Sequence, residues 1–531
     1  MAIFSDGERA CAIALSKLTY CNPFTPDRIQ YEREALGDEF VGDDVVWNAP
    51  ANMEWERPNV PKVQKKVEWI AETARARLLA GQPATHEDIE LYEDNVLYLL
   101  YHRTREMSNQ IIRSKGTVGP GKRIESYRQF EEDFHRFLWI SHLKRTPRYT
   151  PHHIFATDFQ IRRAFHHIFQ NIVGKSMPAA RLRGAVWQSI FTNDIQRYQR
   201  MLWERMADFM TLVVGPSGTG KELVARAIAL AQYIPFDPKT MCFEEDFRGL
   251  FLPLNLSALS PTLIESELFG HRRGAFTGAL EDRAGWLEVC RPLGTVFLDE
   301  IGEIDGAIQV KLLRVLQTRT FQRLGDTQTK FFQGKIIAAT NRDPANEMQG
   351  GRMRADFYYR LCSDMVTTPS LHEILHESPQ ELRNLLLFIA GNLVGRRTEG
   401  AEEPSENGAR QRDLAEAEAL TDQVEEWINR HLGREYPWPG NFRELEQCVR
   451  NVLIRGEYWP ARMPAKGKRQ QLAEAVVAGS LTADELLRRY CTLVQAQTRN
   501  YEETARRLGL DRRTVKAKVD VGMLEELGRG G

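Results

Sequence analysis

The stretch Thr211–Lys221, TLVVGPSGTGK, changes character twice. Thr211-Leu212-Val213-Val214 is apolar and β-branched and reads as a short buried strand. Gly215, Pro216, Ser217, Gly218, Thr219 and Gly220 form a loop, and Lys221 and Glu222 open a helical run that reaches Leu230. Glycines let backbone N–H groups converge on phosphate oxygens. The helix N-terminus adds a positive dipole, and the lysine reaches the outer phosphates. A strand before the loop and a helix after it separate this pattern from a plain glycine turn, so a nucleotide site is expected. Glu222 departs from the general pattern, which has Ser or Thr there for a magnesium ion.

A second segment, Gly294-Thr295-Val296-Phe297-Leu298-Asp299-Glu300, is an apolar strand ending in two carboxylates. At the C-terminal edge of a parallel sheet, Asp299 would hold Mg²⁺ directly or through water, and Glu300 would polarise an attacking water as general base. An ordinary acidic turn is the alternative, and the glycine loop upstream argues against it. A third strand ends Ala338-Ala339-Thr340-Asn341, a polar pair that can position water or sense a terminal phosphate, or simply end the strand. Candidate strands are Thr211–Val214, Leu252–Leu256, Thr295–Leu298 and Ile336–Thr340. Their continuous apolar character, alternating with helical runs, predicts a parallel α/β sheet covered on both faces.

The chain has 531 residues, enough for about three to five domains. Hydrophobic residues are 42% and charged residues 27%, an ordinary globular balance. Lysine plus arginine number 71 against 72 aspartate plus glutamate, so any nucleic-acid contact has to come from a local patch. The 7 cysteines form no CxxC pair, which argues against structural zinc or a disulfide framework and fits a reducing compartment. No signal pattern opens the chain and no apolar run approaches the ~18 residues of a membrane span, so a soluble, cytoplasmic protein without membrane contact is expected.

Residues 1–175 read as a mostly helical domain, placed where a regulatory domain would lie. Thr85 and Asp88 have helix-cap spacing, and Ile89, Tyr92, Val96, Leu99 and Leu100 follow at helical period. Two HHIF tetrads, at His152-His153 and His166-His167, could bind metal, but adjacent helical residues diverge and no further ligand completes a site. Residues 176–368 hold the α/β segment and 369–462 turn helical again. Arg396–Arg412 carries no Val, Ile, Leu or aromatic residue and is expected to be a flexible insert. Residues 463–480 read as a linker and 481–531 as a small helical module.

Between the two nucleotide segments lies Glu267-Leu268-Phe269-Gly270-His271, then Arg272-Arg273, then Gly274-Ala275-Phe276-Thr277-Gly278-Ala279. The last six residues are a small-residue loop with one large aromatic, which either meets a partner or packs into the core. GAFTGA after ELFGH resembles the signature of the AAA+ ATPases that activate bacterial sigma-54 RNA polymerase, the enhancer-binding proteins. The resemblance covers roughly residues 176–460. It implies an α/β AAA+ P-loop NTPase core with a helical lid, ATP and Mg²⁺ as cofactors, and a loop, Gly274–Ala279, that contacts sigma-54 and moves with hydrolysis. Glu222 is then a family trait, while Pro216 stands where Glu is commoner. Asn255 matches the asparagine that couples the catalytic glutamate to the loop, and Thr340-Asn341 matches sensor I. Met353-Arg354-Ala355-Asp356-Phe357-Tyr358-Tyr359-Arg360-Leu361 resembles FRxDLYYRL, with Met353 in place of Phe. Arg354 and Arg360 are then trans-acting arginines completing a neighbour's site, which implies dimers assembling into a ring, usually a hexamer. Trp438–Leu445 resembles WPGNxREL, making Arg443 the lid arginine.

In the last module, Thr482 and Glu485 have capping-box spacing. A short helix stops at Gly509, Asp511 can cap the next, and that helix carries Arg512, Arg513, Thr514, Lys516 and Lys518. This is helix-turn-helix spacing, and between Lys466 and Lys518 basic residues outnumber acidic ones by 12 to 6. It resembles the Fis-type module that usually ends these activators and implies double-stranded upstream DNA as a partner; dimerisation alone is the alternative. The implied function is ATP-driven remodelling of the closed complex of sigma-54 RNA polymerase holoenzyme. An AAA+ ATPase acting on a different protein, with its terminal helices used for assembly, fits the same motifs.

Overall fold

Five parallel strands carry the nucleotide segments: β1 (Thr211–Val214), β2 (Phe251–Asn255), β3 (Thr295–Asp299), β4 (Lys335–Thr340) and β5 (Asp364–Thr367). The computed structural model describes residues 3–42, 45–47, 57–113, 119–140, 146–395, 408–460, 472, 475, 476, 479, 481–520 and 524. The spatial order is β5-β1-β4-β3-β2. Val214 pairs with Thr340 and with Thr367, and Asn255 pairs with Asp299. The ends of β1, β3 and β4 therefore lie side by side, and every polar group read from the sequence strands leaves the same sheet edge. Four strands start or stop within about a residue of the expected positions. β5 escaped the sequence reading: it pairs only with β1, and of its four residues only Val366 is buried. An edge strand needs little apolar surface, so it carries no apolar run.

Two compact units divide the chain, Met1–Glu457 and Tyr458–Gly531. In the first, helices α1 (Asp6–Tyr20), α2 (Pro26–Leu36), α3 (Asn59–Leu79), α4 (His86–Arg103), α5 (Arg105–Arg113), α6 (Tyr127–Leu138), α7 (Pro151–Asn171) and α8 (Met177–Phe191) precede the sheet. Thr85 and Asp88 cap α4 reciprocally, each side chain accepting from the other's backbone N–H at 3.1 Å. Leu15, Val67, Tyr92, Phe134 and Phe155 share one core with Phe236 and Phe243, which lie beyond the glycine loop. The N-terminal helices thus pack directly on residues that follow the glycine loop.

α7 lies on the helix after the glycine loop (Lys221–Ala229). Arg163, fully buried, donates to Leu230 O (2.9 Å) and Gln232 O (2.5 Å), and Gln160 Nε2 donates to Ala231 O (3.0 Å). These donors satisfy carbonyls that the helix end leaves open and complement its negative pole. Both HHIF tetrads fall on α7. His153 is buried between the Tyr233 hydroxyl (3.0 Å) and Gln199 O (2.9 Å), and burial pushes the imidazoles of His153 and His167 toward the neutral form.

After β5 come four helices, Leu371–Glu377, Glu381–Gly395, Gly408–His431 and Asn441–Arg455. Of the expected insert, residues 396–407 lie outside the described residues, and 408–412 already belong to a helix. Most of the expected linker, 463–480, also lies outside them. The second unit contains Ala483–Thr498, Tyr501–Leu508 and Arg512–Lys518 around Cys491, Ala505, Val515 and Val519. Among the described residues, no helix is long and apolar enough to cross a membrane.

Candidate active site

Gly215 to Lys221 leave β1 as a loop pinned on three sides. Gly215 N–H donates to Thr340 O (3.3 Å), tying the loop to β4. The Thr219 hydroxyl lies 2.8 Å from Pro216 O and 2.6 Å from the Thr368 hydroxyl beyond β5. Gly218, at φ +80, faces the lid: a Cβ there would come within 2.3 Å of Gly440 O. A side chain is therefore excluded twice, by backbone conformation and by space. Lys221 is buried and donates from Nζ to Gly215 O (3.0 Å) and Pro216 O (3.2 Å). Burial lowers its pKa, opposed by Glu300 and then Asp299, while Arg443 acts in the same direction as burial. A buried ammonium facing two carboxylates, at a loop shaped by glycines, fits an anionic phosphate chain with a divalent cation.

Asp299 and Glu300 end β3, both half-buried, and Glu300 N–H donates to Asp299 Oδ1 (3.1 Å). Glu300 adopts φ +56, a left-handed conformation that carries strain for a residue with a Cβ. Thr340 is buried, its hydroxyl accepting from Arg342 N–H (3.1 Å), and Asn341 next to it is exposed. Asn255, at the end of β2, is exposed and its Oδ1 accepts from Ser257 N–H (3.0 Å) and hydroxyl (2.8 Å).

The lid reaches the loop through Asn441, a residue the sequence reading left unassigned. Its Nδ2 donates to Ser217 O (3.0 Å), and its Oδ1 accepts from Leu371 N–H (2.9 Å). Phe442 N–H donates to Gly218 O (3.1 Å), and Arg443 Nη1 lies 3.4 Å from Ser217 Oγ. Asn441 sits at φ +52, a conformation asparagine tolerates better than most residues. Asn441→Ala removes both side-chain bonds and is expected to weaken nucleotide binding about tenfold, or ~1.4 kcal/mol. A nucleotide titration checks this; unchanged affinity would mean that the backbone bonds alone set the lid.

Gly274–Ala279 form the tip of a hairpin whose stem pairs Gly270–His271 with Arg283–Ala284. Gly274 N–H donates to Ala279 O (2.9 Å) and Ala279 N–H to Phe276 O (3.0 Å), closing the tip on itself. Arg272 braces the base, bonding Asp282 (2.5 Å) and Asp326 (2.9 Å). Phe276 is half-buried against the His271 ring, with centroids 5.0 Å apart, and Thr277 and Gly278 are exposed. Ala275 faces Gly325 of a second hairpin, Thr320–Phe331, and Arg272 N–H donates to Leu324 O (2.9 Å).

Arg354 forms a two-pronged pair with Asp356 (3.0 and 2.8 Å), and Arg360 is exposed. Among the described residues, neither donates to its own glycine loop.

Comparison with known proteins covers this region. The sigma-54 interaction domain family matches residues 190–367, from the lead-in to β1 through the end of β5. Within those bounds the chain is similar to the sigma-54 interaction domain. Over 327 residues the chain is 35% identical to the transcriptional regulatory protein ZraR of Salmonella typhimurium, covering 59% of this chain and 63% of that protein. It is 41% identical over 246 residues to the Nif-specific regulatory protein of Azotobacter vinelandii, covering 46% of this chain and 40% of that protein. The regulatory protein LuxO of Vibrio vulnificus is 38% identical over 242 residues, covering 46% of this chain and 45% of that protein. The chain thus spans less than two thirds of the length of each of these relatives. The matched region here is a parallel α/β core, with the glycine loop and the ends of β3 and β4 on one sheet edge and the Gly274–Ala279 hairpin between β2 and β3 in the chain.

Beyond that domain, the second unit places its candidate residues on Arg512–Lys518, capped by Asp511 Oδ1 accepting from Arg513 N–H (2.7 Å). Arg512 pairs with Glu502 (2.9 Å) and Lys518 with Asp484, Thr514 is half-buried, and Arg513 and Lys516 are exposed. Two of the four basic side chains are therefore engaged within the unit.

Proposed function

We propose that this chain is an ATP-hydrolysing activator of sigma-54 RNA polymerase that binds upstream DNA through its last three helices. Lys221 and Arg443 hold the phosphates in cis, Thr340 and Asn341 flank the terminal phosphate, and Glu300 draws a proton from the attacking water. Mg²⁺ at Asp299 would supply charge neutralisation for the β- and γ-phosphates. Arg354 and Arg360 act on the site of a neighbouring subunit in a ring, where a planar, permanently charged fork suits phosphate oxygens. For Arg354 this means exchanging Asp356 for a phosphate, so that its pair serves as a resting position.

The observation that carries the reading is the Gly274–Ala279 tip. It is closed by its own backbone bonds, braced at its base by Arg272, and leaves Thr277 and Leu280 facing solvent, Leu280 at 80% exposure. An apolar side chain so exposed beside a glycine-bounded tip supports a protein partner. The test is open-complex formation by the full chain with sigma-54 holoenzyme on a promoter carrying an upstream site. Opening with ATP and none with a non-hydrolysable analogue is expected; hydrolysis without opening overturns the reading.

For DNA, Arg513→Ala with Lys516→Ala in the full chain is expected to raise Kd for duplex DNA about tenfold and to lower the salt slope by about 2. Arg512→Ala should do less, because Glu502 already competes for that guanidinium. A binding titration at several salt concentrations separates the two; equal effects would mean that Glu502 does not hold Arg512 in solution.

A further inference from the structure

A cavity of about 320 Å³ lies behind the sheet, at the edge opposite the glycine loop. Lys335 and Gln232 line it, the first opening β4 and the second following the helix that Lys221 begins. Gln232 also bonds the hydroxyl of Thr295, the first residue of β3. The opposite wall is Trp203, Tyr198 and Ser189, from α8 and the segment leading to β1, and Gln160 of α7 accepts from the Tyr198 hydroxyl (2.8 Å). N-terminal helices, the start of β4 and the segment after the glycine-loop helix therefore meet at one cavity, of a volume that holds a small ligand.

Its lining is chemically specific. Trp203 and Tyr233 pack at 4.4 Å between ring centroids, tilted by 51°, so one can stack on a ligand ring while the other meets its edge. Lys335 is 2% exposed and donates to Met206 O (3.1 Å) and Phe209 O (2.7 Å), leaving one of its three N–H groups over. Ser189 is 4% exposed and its hydroxyl has no hydrogen-bond partner. Burial pulls the Lys335 pKa down to about 8, against Asp364 and Asp208, with Arg319 adding to the pull. An incoming negative charge would offset that burial, and Glu204, the one carboxylate on the lining, is exposed to water.

We propose that this cavity binds a small flat organic anion, a carboxylate carried on an aromatic ring, with the ring against Trp203 and Tyr233 and the carboxylate on Lys335 and Ser189. Stacking supplies the apolar part of the affinity and the paired donors select charge. The site is separate from the nucleotide loop, and its occupancy does not depend on hydrolysis.

The test is calorimetric titration of the full chain with benzoate, 4-hydroxybenzoate, indole-3-carboxylate and quinoline-2-carboxylate, each against its neutral carboxamide. Saturable binding of at least one carboxylate is expected, at least tenfold tighter than its amide. It should persist in Lys221→Ala and weaken at least fivefold in both Trp203→Ala and Ser189→Ala. Ser189→Ala removes a hydroxyl that bonds nothing, so its melting temperature should match the parent's. No saturable binding by any of the four overturns the proposal, as does equal binding of the amides. Loss in Lys221→Ala, or full binding in both cavity variants, overturns it by placing the ligand elsewhere.

Discussion

Glu300→Gln is expected to bind ATP with near-normal affinity and to release phosphate about 10²-fold more slowly or worse, the range over which a positioned general base acts. The substitution keeps the side-chain volume and one accepting oxygen, and replaces the basic carboxylate oxygen by a donating NH₂ group. The backbone there is the unusual part: at φ +56, directly after β3, Glu300 holds a conformation that costs of order 1–3 kcal/mol for a non-glycine residue. Gln tolerates it no worse than Glu, so the turn survives. Asp299 stays at the end of β3, and Lys221 keeps its bonds to Gly215 O and Pro216 O. Glu300 opposes the burial of Lys221 more than Asp299 does, so its removal should make the lysine somewhat easier to deprotonate. The prediction is therefore sharper at neutral pH than at alkaline pH, where a weaker lysine charge would begin to cost affinity as well. Steady-state phosphate release and a nucleotide titration on the same preparation separate the two effects. Normal turnover would take Glu300 out of the base's role and leave Asp299 or Glu303 as the nearest carboxylates in sequence.

The parts of this site that were legible in advance are those written in consecutive residues. A strand, a glycine loop and a lysine lie within Thr211–Lys221, and the spacing of buried residues gave four of the five strands nearly to the residue. β5 was silent because one-sided pairing asks for a single buried side chain, Val366. Asn441 was silent for another reason: its role exists only once the chain has folded back to put it on Ser217, more than two hundred positions earlier. Thr368 is similar, since a hydroxyl after an unrecognised strand carries no signal until Thr219 meets it. Arg163 belongs to no motif, yet it closes the end of the glycine-loop helix and ties α7 to it. Positive-φ side chains such as Glu300 and Asn441 are invisible to periodicity, because their conformation is imposed by tertiary contacts.

Thr277→Ala is expected to leave ATP hydrolysis within about twofold of the parent and to lower open-complex formation about thirtyfold or more, the effect of losing an interface hot spot worth ~2 kcal/mol. The hydrolysis half follows from how the tip is held. Its closing bonds are backbone ones, from Gly274 to Ala279 and from Ala279 to Phe276, and its brace is Arg272 on Asp282 and Asp326. None of these uses the Thr277 side chain, which is exposed, so the hairpin keeps its shape without the hydroxyl. The opening half follows from what the tip presents. Phe276 is already half-covered by His271, whereas Thr277 stands free, and a partner meeting this face finds its hydroxyl and methyl first. Phe276→Ala would be a less clean test, because it also strips the His271 contact and frees the tip to rearrange. Phosphate release and promoter opening measured side by side decide the matter. Parallel loss of both would mean that the tip feeds back on the ends of β2 and β3, between which its hairpin is inserted, and that hydrolysis and contact are one event instead of two coupled ones.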